Sequence, residues 1–231
     1  MRLKLLACEI FRQEITFFLS GSPHQIDVEF LPAELHAIGR VRMKNRLSEY
    51  LASVDESQYD AILLGYALCS GGIVGLSVSK IPLVVPRAHD CITLFLGSRK
   101  RYLEYFFANG GTYFMTTGWF EQDNAFNYGP EIMSFYTKLA YIETEIESDN
   151  TFEQRAERIA AERHLEFEKL SGDLSLLRRF VNGDWDNDFL VVPPGKHIQA
   201  SYDDDVIETA SNSEVAAPMG QVVTSADALY N

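Results

Sequence analysis

Apolar residues recur along this chain in short blocks, and each block is followed by a stretch whose apolar positions fall three and four apart. LKLLAC (3–8) reads as a buried strand, and EIFRQEITFFL after it reads as a helix. IDVEFL (26–31) is a second strand, followed by an amphipathic helix over 41–54 with Val41, Leu47, Leu51 and Val54 on its inner stripe. YDAILLGYAL (59–68) and IPLVVPRA (81–88) are strands three and four. Between them CSGGIVGLSVSK predicts a tight turn and a short helix, because its glycines loosen anything longer. A helix over 93–108 leads through GGTYFMTTGW into strand five. Further on, the pattern predicts helices over 130–147 and 151–164, a strand over 165–170, a helix over 173–182 and a last strand over 189–192.

Strands alternating with helices mark an α/β protein: an open, mostly parallel, Rossmann-like sheet with helices on both faces. Residues 1–199 are expected to form one domain, with strand order 2-1-3-4-5 if it follows the flavodoxin-like pattern. From Ala200 the chain turns acidic and rich in small residues, so 200–231 is expected to be a surface segment, partly disordered.

Composition narrows the partners. With 46% hydrophobic residues the 231-residue chain can bury a sizeable core. Its charge, 20 − 33 = −13, repels phosphate backbones and anionic lipid, so neither nucleic acid nor a membrane surface is an expected partner; a small-molecule substrate is. The 15 Phe and 11 Tyr are compatible with a partner or oligomer surface, although core packing accounts for most of them. Glu9, Arg12, Gln13 and Glu14 interrupt the apolar start where a signal peptide needs continuity. No run reaches the roughly 18 apolar residues of a membrane span. The expectation is a cytoplasmic protein, and three cysteines are too few for a disulfide framework.

Each cysteine follows the apolar run of a predicted strand: Cys8 after strand one, Cys69 after strand three, Cys91 after strand four. In an open α/β sheet, ligands bind beyond the carboxyl ends of the strands. Neighbouring strands stand about 4.8 Å apart, so three adjacent loops start within roughly 10 Å of one another. Convergence of the thiols with His89 would make a soft ligand set for zinc or an iron–sulfur cluster, with a position left open for a thiol or related substrate. Such a centre would serve a metal-thiolate transferase. The competing reading is three small apolar residues buried at strand ends. A third treats Cys91 as a nucleophile, with His89 as its base and Asp90 as the orienting carboxylate.

Other residues at the same edge have a chemical and an ordinary reading. Gly71 and Gly72, with Gly75, would let backbone amides hold an anion, or simply permit a tight turn. Arg87, with Arg99 and Arg101, would hold a carboxylate or phosphate. His36 would reach the rim as proton donor or ligand, or sit in a loop. Trp119 would wall a pocket or fill a core. His164 and His197 have no chemical company, and the acidic run 203–205 reads as a solvated turn. No Gly-x-Gly-x-x-Gly or Gly-Lys-Ser/Thr pattern is present, which disfavours a classical nucleotide site.

Finally, LLACEIFRQEI, LGYALCSGGIVGL, the block PRAHDCITLFLGSRKRYLEYFFANGGTYFMTTGWFE and GDWDNDFLVVPPG together resemble the bacterial and archaeal family DUF1638, over most of the chain to about Ile198. Its motifs contain Cys8, His36, Cys69, His89, Asp90 and Cys91. The resemblance also implies company with corrinoid-dependent methyltransferase systems, and hence methyl or one-carbon chemistry and a methyltransferase or corrinoid protein partner. A non-catalytic accessory module of such a system is the alternative to an enzyme. The chain has no Asp-x-His-x-x-Gly motif with which to carry the corrinoid itself.

Overall fold

The computed structural model describes residues 1–122 and 133–211. In chain order the elements are β1 (Arg2–Cys8), α1 (Arg12–Leu19), β2 (Gln25–Leu31), α2 (Arg40–Ser53), β3 (Ala61–Gly65), β4 (Leu83–Pro86), α3 (Cys91–Leu96), α4 (Arg99–Ala108), β5 (Thr112–Met115), α5 (Thr117–Glu121), β6 (Lys138–Glu143), α6 (Thr151–Glu162), β7 (Glu166–Ser171), α7 (Ser175–Asn182), β8 (Phe189–Val192), β9 (Lys196–Ala200) and β10 (Ile207–Ser211). The central sheet has the order β2-β1-β3-β4-β8, parallel except for β8, which runs antiparallel to β4. This is an open α/β fold. Strands β3 and β4 are buried throughout, which is why they read as unbroken apolar runs rather than alternating ones.

Strand five does not extend this sheet. β5 pairs instead with β6, and β6 with β7, in a separate parallel sheet with its own core around Met115, Leu139 and Tyr141. The place beside β4 is taken by β8, whose chain returns to it after β7 and α7. Order 2-1-3-4-5 is therefore corrected to 2-1-3-4-8.

Local corrections have local causes. The predicted helix over 130–147 holds β6; 130–132 lie outside the described residues. Leu139, Ala140, Tyr141 and Ile142 are all fully buried, as the middle strand of a sheet must be, and that run fits a helix pattern equally well. The helix over 93–108 is two helices, broken where Gly97 turns left-handed at φ +77° and Ser98 accepts a hydrogen bond from Arg101 N to start α4. In α2 the inner stripe is Met43, Leu47 and Leu51, while Val41 is exposed. After β3 there is a single 3₁₀ turn, Cys69–Gly71, rather than a short helix. Residues 203–205 form the turn between β9 and β10, and the segment beyond 211 lies outside the described residues.

A candidate thiol site at the carboxyl edges of two sheets

The central sheet brings the carboxyl ends of β1, β3 and β4 side by side, because β1 pairs with β3 and β3 with β4. Cys8 is the last residue of β1, Cys69 lies in the turn after β3, and Cys91 opens α3 after β4. The two later loops are stitched together by Leu68 N donating to Ala88 O at 2.9 Å and Cys69 N to His89 O at 3.0 Å. The Cys69 turn is held in an uncommon shape, with Cys69, Ser70 and Gly71 left-handed in succession at φ 45°, 57° and 89°. For the two non-glycine residues this costs about 1–3 kcal/mol each, the kind of strain that collects at functional sites.

The thiols share one low-dielectric environment. Burial pushes the Cys8 thiol up to about 11 and the Cys69 thiol up to about 12, and the neighbouring Cys8 charge adds to the latter. Burial raises the Cys91 thiol well above its ordinary value, and the charges of Asp90, Cys69 and Cys8 act in the same direction. Cys69 thus feels the charge of Cys8, and Cys91 those of Cys69 and Cys8, as neighbouring strand ends allow. Among the described residues, no group of three or more His, Cys, Asp or Glu side chains is arranged to hold a metal ion.

His89 and Asp90 adjoin the thiols and are held by contacts of their own. The Asp90 carboxylate caps α3, accepting from Ile92 N at 3.0 Å and Thr93 N at 3.4 Å, and accepts the Tyr102 hydroxyl at 2.7 Å. Burial still raises its pKa, against these hydrogen bonds. The His89 ring stacks on Tyr102 with centroids 5.4 Å apart; burial lowers its pKa, and its Nδ1 is buried without a partner. A neutral imidazole with a free buried nitrogen suits proton transfer or ligation. Asp90, with its oxygens occupied by the α3 amides and Tyr102, is not shown orienting His89.

His36 follows β2 and meets the second sheet: its Nδ1 lies 2.5 Å from Ala33 O, and its ring packs edge-on against Trp119 of α5 at 4.9 Å. Gly118 beside it is pressed on the backbone just past Cys8, where a Cβ would come 1.9 Å from Ile10 O. The carboxyl edges of the two sheets therefore abut each other, with the cysteines on one side and Trp119 on the other. Gly71 and Gly72 serve packing: a Cβ on Gly72 would strike Met43 Sδ at 2.3 Å, and one on Gly71 would meet Arg40 Cδ at 2.9 Å. Arg87 hydrogen-bonds the backbone oxygens of Asp205 and Ile207, and Arg99 binds Asp204 O and lies 3.5 Å from Asp188, so both clamp the β9–β10 turn rather than face the thiols. Arg101 binds Leu96 O and Ser171 O.

Three residues near this edge had no motif to mark them. The Tyr66 hydroxyl lies beside the Cys8 thiol, and burial raises its pKa. Tyr102 ties Asp90 to α4. Glu14 on α1 is fully buried with both carboxylate oxygens unpartnered, and burial pushes its pKa up to about 7, helped by Glu121 and Glu147. A glutamate within an apolar helix pattern was the available signal for Glu14; the tyrosines look like ordinary core aromatics.

Fold and site together define an open α/β protein with a thiol-lined carboxyl edge. Within that class the chain belongs to the family DUF1638, protein of unknown function, which it matches over residues 30–181. The matched span includes His36, Cys69, His89, Asp90 and Cys91, and stops short of Cys8. No curated protein and no solved structure matches the chain. No helix among the described residues is long and apolar enough to cross a membrane.

Proposed function

We propose that Cys8, Cys69 and Cys91 are the thiolate ligands of a metal centre with one position open to a thiol or related small substrate. The observation that carries this reading is that three cysteines, Cys8 buried and Cys69 and Cys91 half-buried, come from three adjacent strand ends, each thiol costly to ionise alone. A soft cation supplies the missing charge, and a coordinating thiol is deprotonated outright. Zinc–sulfur bonds of about 2.3 Å would draw three sulfurs into mutual contact. Zinc and an iron–sulfur cluster are both bound by thiolates, and either would supply the missing charge. His89 is the proton carrier, or a fourth ligand, at the open position. Methyl or one-carbon transfer to a bound thiolate is the reaction class this centre would serve, with a methyltransferase or corrinoid protein as partner.

The test is anaerobic purification with zinc, iron and sulfide measured per chain. We expect zinc, or iron with sulfide, lost on Cys8→Ser, Cys69→Ser or Cys91→Ser. A metal content unchanged in the Cys8→Ser, Cys69→Ser and Cys91→Ser variants would overturn the reading. Metal-free protein with slowly reacting thiols would support a binding or accessory module with inert cysteines, a reading that the raised thiol pKa values also favour. Those raised values, and the His89 ring stacked on Tyr102, weigh against a Cys91–His89 nucleophile.

A further inference from the structure

We infer that the seat of α5 against the central sheet is a proton-sensitive latch, closed while the Glu14 carboxyl is protonated and released when it ionises. Glu14 lies on the buried side of α1 with Ile15 and Phe18, has no exposed surface and leaves both oxygens without a hydrogen-bond partner. A side chain with no accessible surface has no space beside it for a water molecule or a cation, so a proton is the counter-charge that fits. α5 packs on the same stretch of chain: Gly118 is pressed against the Ile10 backbone, Gln13 donates to the Glu121 carboxylate at 2.5 Å, and Trp119 meets the His36 ring.

The charges that act on Glu14 come from Glu121 at the end of α5 and Glu147 in the turn after β6, and both are negative. Glu147 is itself held in place, accepting from the Tyr141 hydroxyl and from Thr144 N at 2.7 Å. The cations of the neighbouring elements are committed elsewhere: Arg12 to Glu9, Arg155 to the face of Phe120, and Arg179 to Asp186 and Asp188, while Arg178 lines an open cleft with Phe17 and Glu145. Ionised Glu14 would therefore meet two more carboxylates in the absence of water, and movement of α5 is the nearest relief. α5 is weakly anchored against it. The helix has five residues, and Thr116 ahead of it is fully buried with its hydroxyl oxygen unpartnered instead of capping the helix. Because Gly118 lies on Ile10, release of α5 bares the segment just past Cys8.

Burial, helped by the charges of Glu121 and Glu147, pushes the Glu14 pKa from 4.5 to about 7, and a carboxyl released to water returns to the lower value. Between the two, the closed state holds a proton that the open state has lost, so closure is fully favoured below pH 4.5 and weakens until pH passes 7. The latch requires no metal centre. Amide hydrogen exchange of the full chain, corrected for the pH dependence of the chemical step, is the test. We expect opening at residues 9–13 and 117–121 to rise about 100-fold from pH 4.5 to pH 8 in wild type, and to stay level in Glu14→Gln, whose side chain cannot ionise. Amides of β3 should stay protected through this opening. No pH response in wild type, or a response that survives in Glu14→Gln, overturns the latch. Exchange of β3 in step with α5 overturns it too, because the carboxyl would then weigh on global unfolding alone.

Discussion

Glu14 shows how much one residue can set against its surroundings. A carboxyl with no hydrogen-bond partner and no solvent contact is tolerable while protonated and costly once charged. Its pKa rises from 4.5 to about 7, so between those values the folded chain holds a proton that the unfolded chain has released. Folding is then most favoured, as far as this group goes, below pH 4.5. Stability falls as pH rises through 4.5 to 7, and the full penalty of about 3 kcal/mol applies above it. Glu14→Gln should therefore stabilise the protein by up to about 3 kcal/mol at pH 8 and change little at pH 4.5. Urea denaturation at the two pH values checks this. An equal effect at both would mean that the carboxyl finds water or a partner.

At the scale of elements, the break between α3 and α4 matters most for the site. Asp90 starts α3 and holds Tyr102 of α4, while Gly97 provides the reversal that lets α4 fold back toward His89. A side chain at Gly97 would meet both a left-handed backbone, at φ +77°, and the Asp173 carboxylate, 2.5 Å from the new Cβ. Gly97→Ala should cost about 1–2 kcal/mol from the backbone alone. Because His89 rests on Tyr102, it should also blunt the His89 titration seen by NMR. A normal titration with lowered stability would show that the ring is held independently of α4. A helix over 93–108 was legible in advance, but its start at Asp90 and the turn at Gly97 were not. The split was missed because the apolar positions Leu94, Phe95 and Leu103 continue a helical pattern across it.

For the whole molecule, the decisive feature is the contact between the two sheets. Trp119 packs against both hydrophobic cores, and Gly118 lets α5 approach the backbone after β1. A methyl group at that position cannot be absorbed by a side-chain rotation, since what it strikes is the Ile10 carbonyl. Gly118→Ala should therefore destabilise by at least about 2 kcal/mol. It should also uncouple the two cores, so that unfolding followed by circular dichroism and by tryptophan fluorescence no longer coincides. Coincident transitions in the variant would show that the sheets are held together elsewhere.

Short apolar runs followed by amphipathic segments were enough to place β1 to β4, α1, α2, β7, α7 and β8 close to where they lie, and to put each cysteine just beyond a strand. Those features depend on local periodicity and on chain connectivity, which the amino-acid order records directly. Which strands become neighbours is not recorded that way. β5 and β8 are alike in length and apolar content, and the choice of β8 to flank β4 follows from how α7 and the returning chain pack, an energy spread over distant residues. The same holds for the partnerships around the thiols. His36 on Trp119 and Arg40 over the Cys69 turn join positions far apart in the chain, and only tertiary packing brings them together.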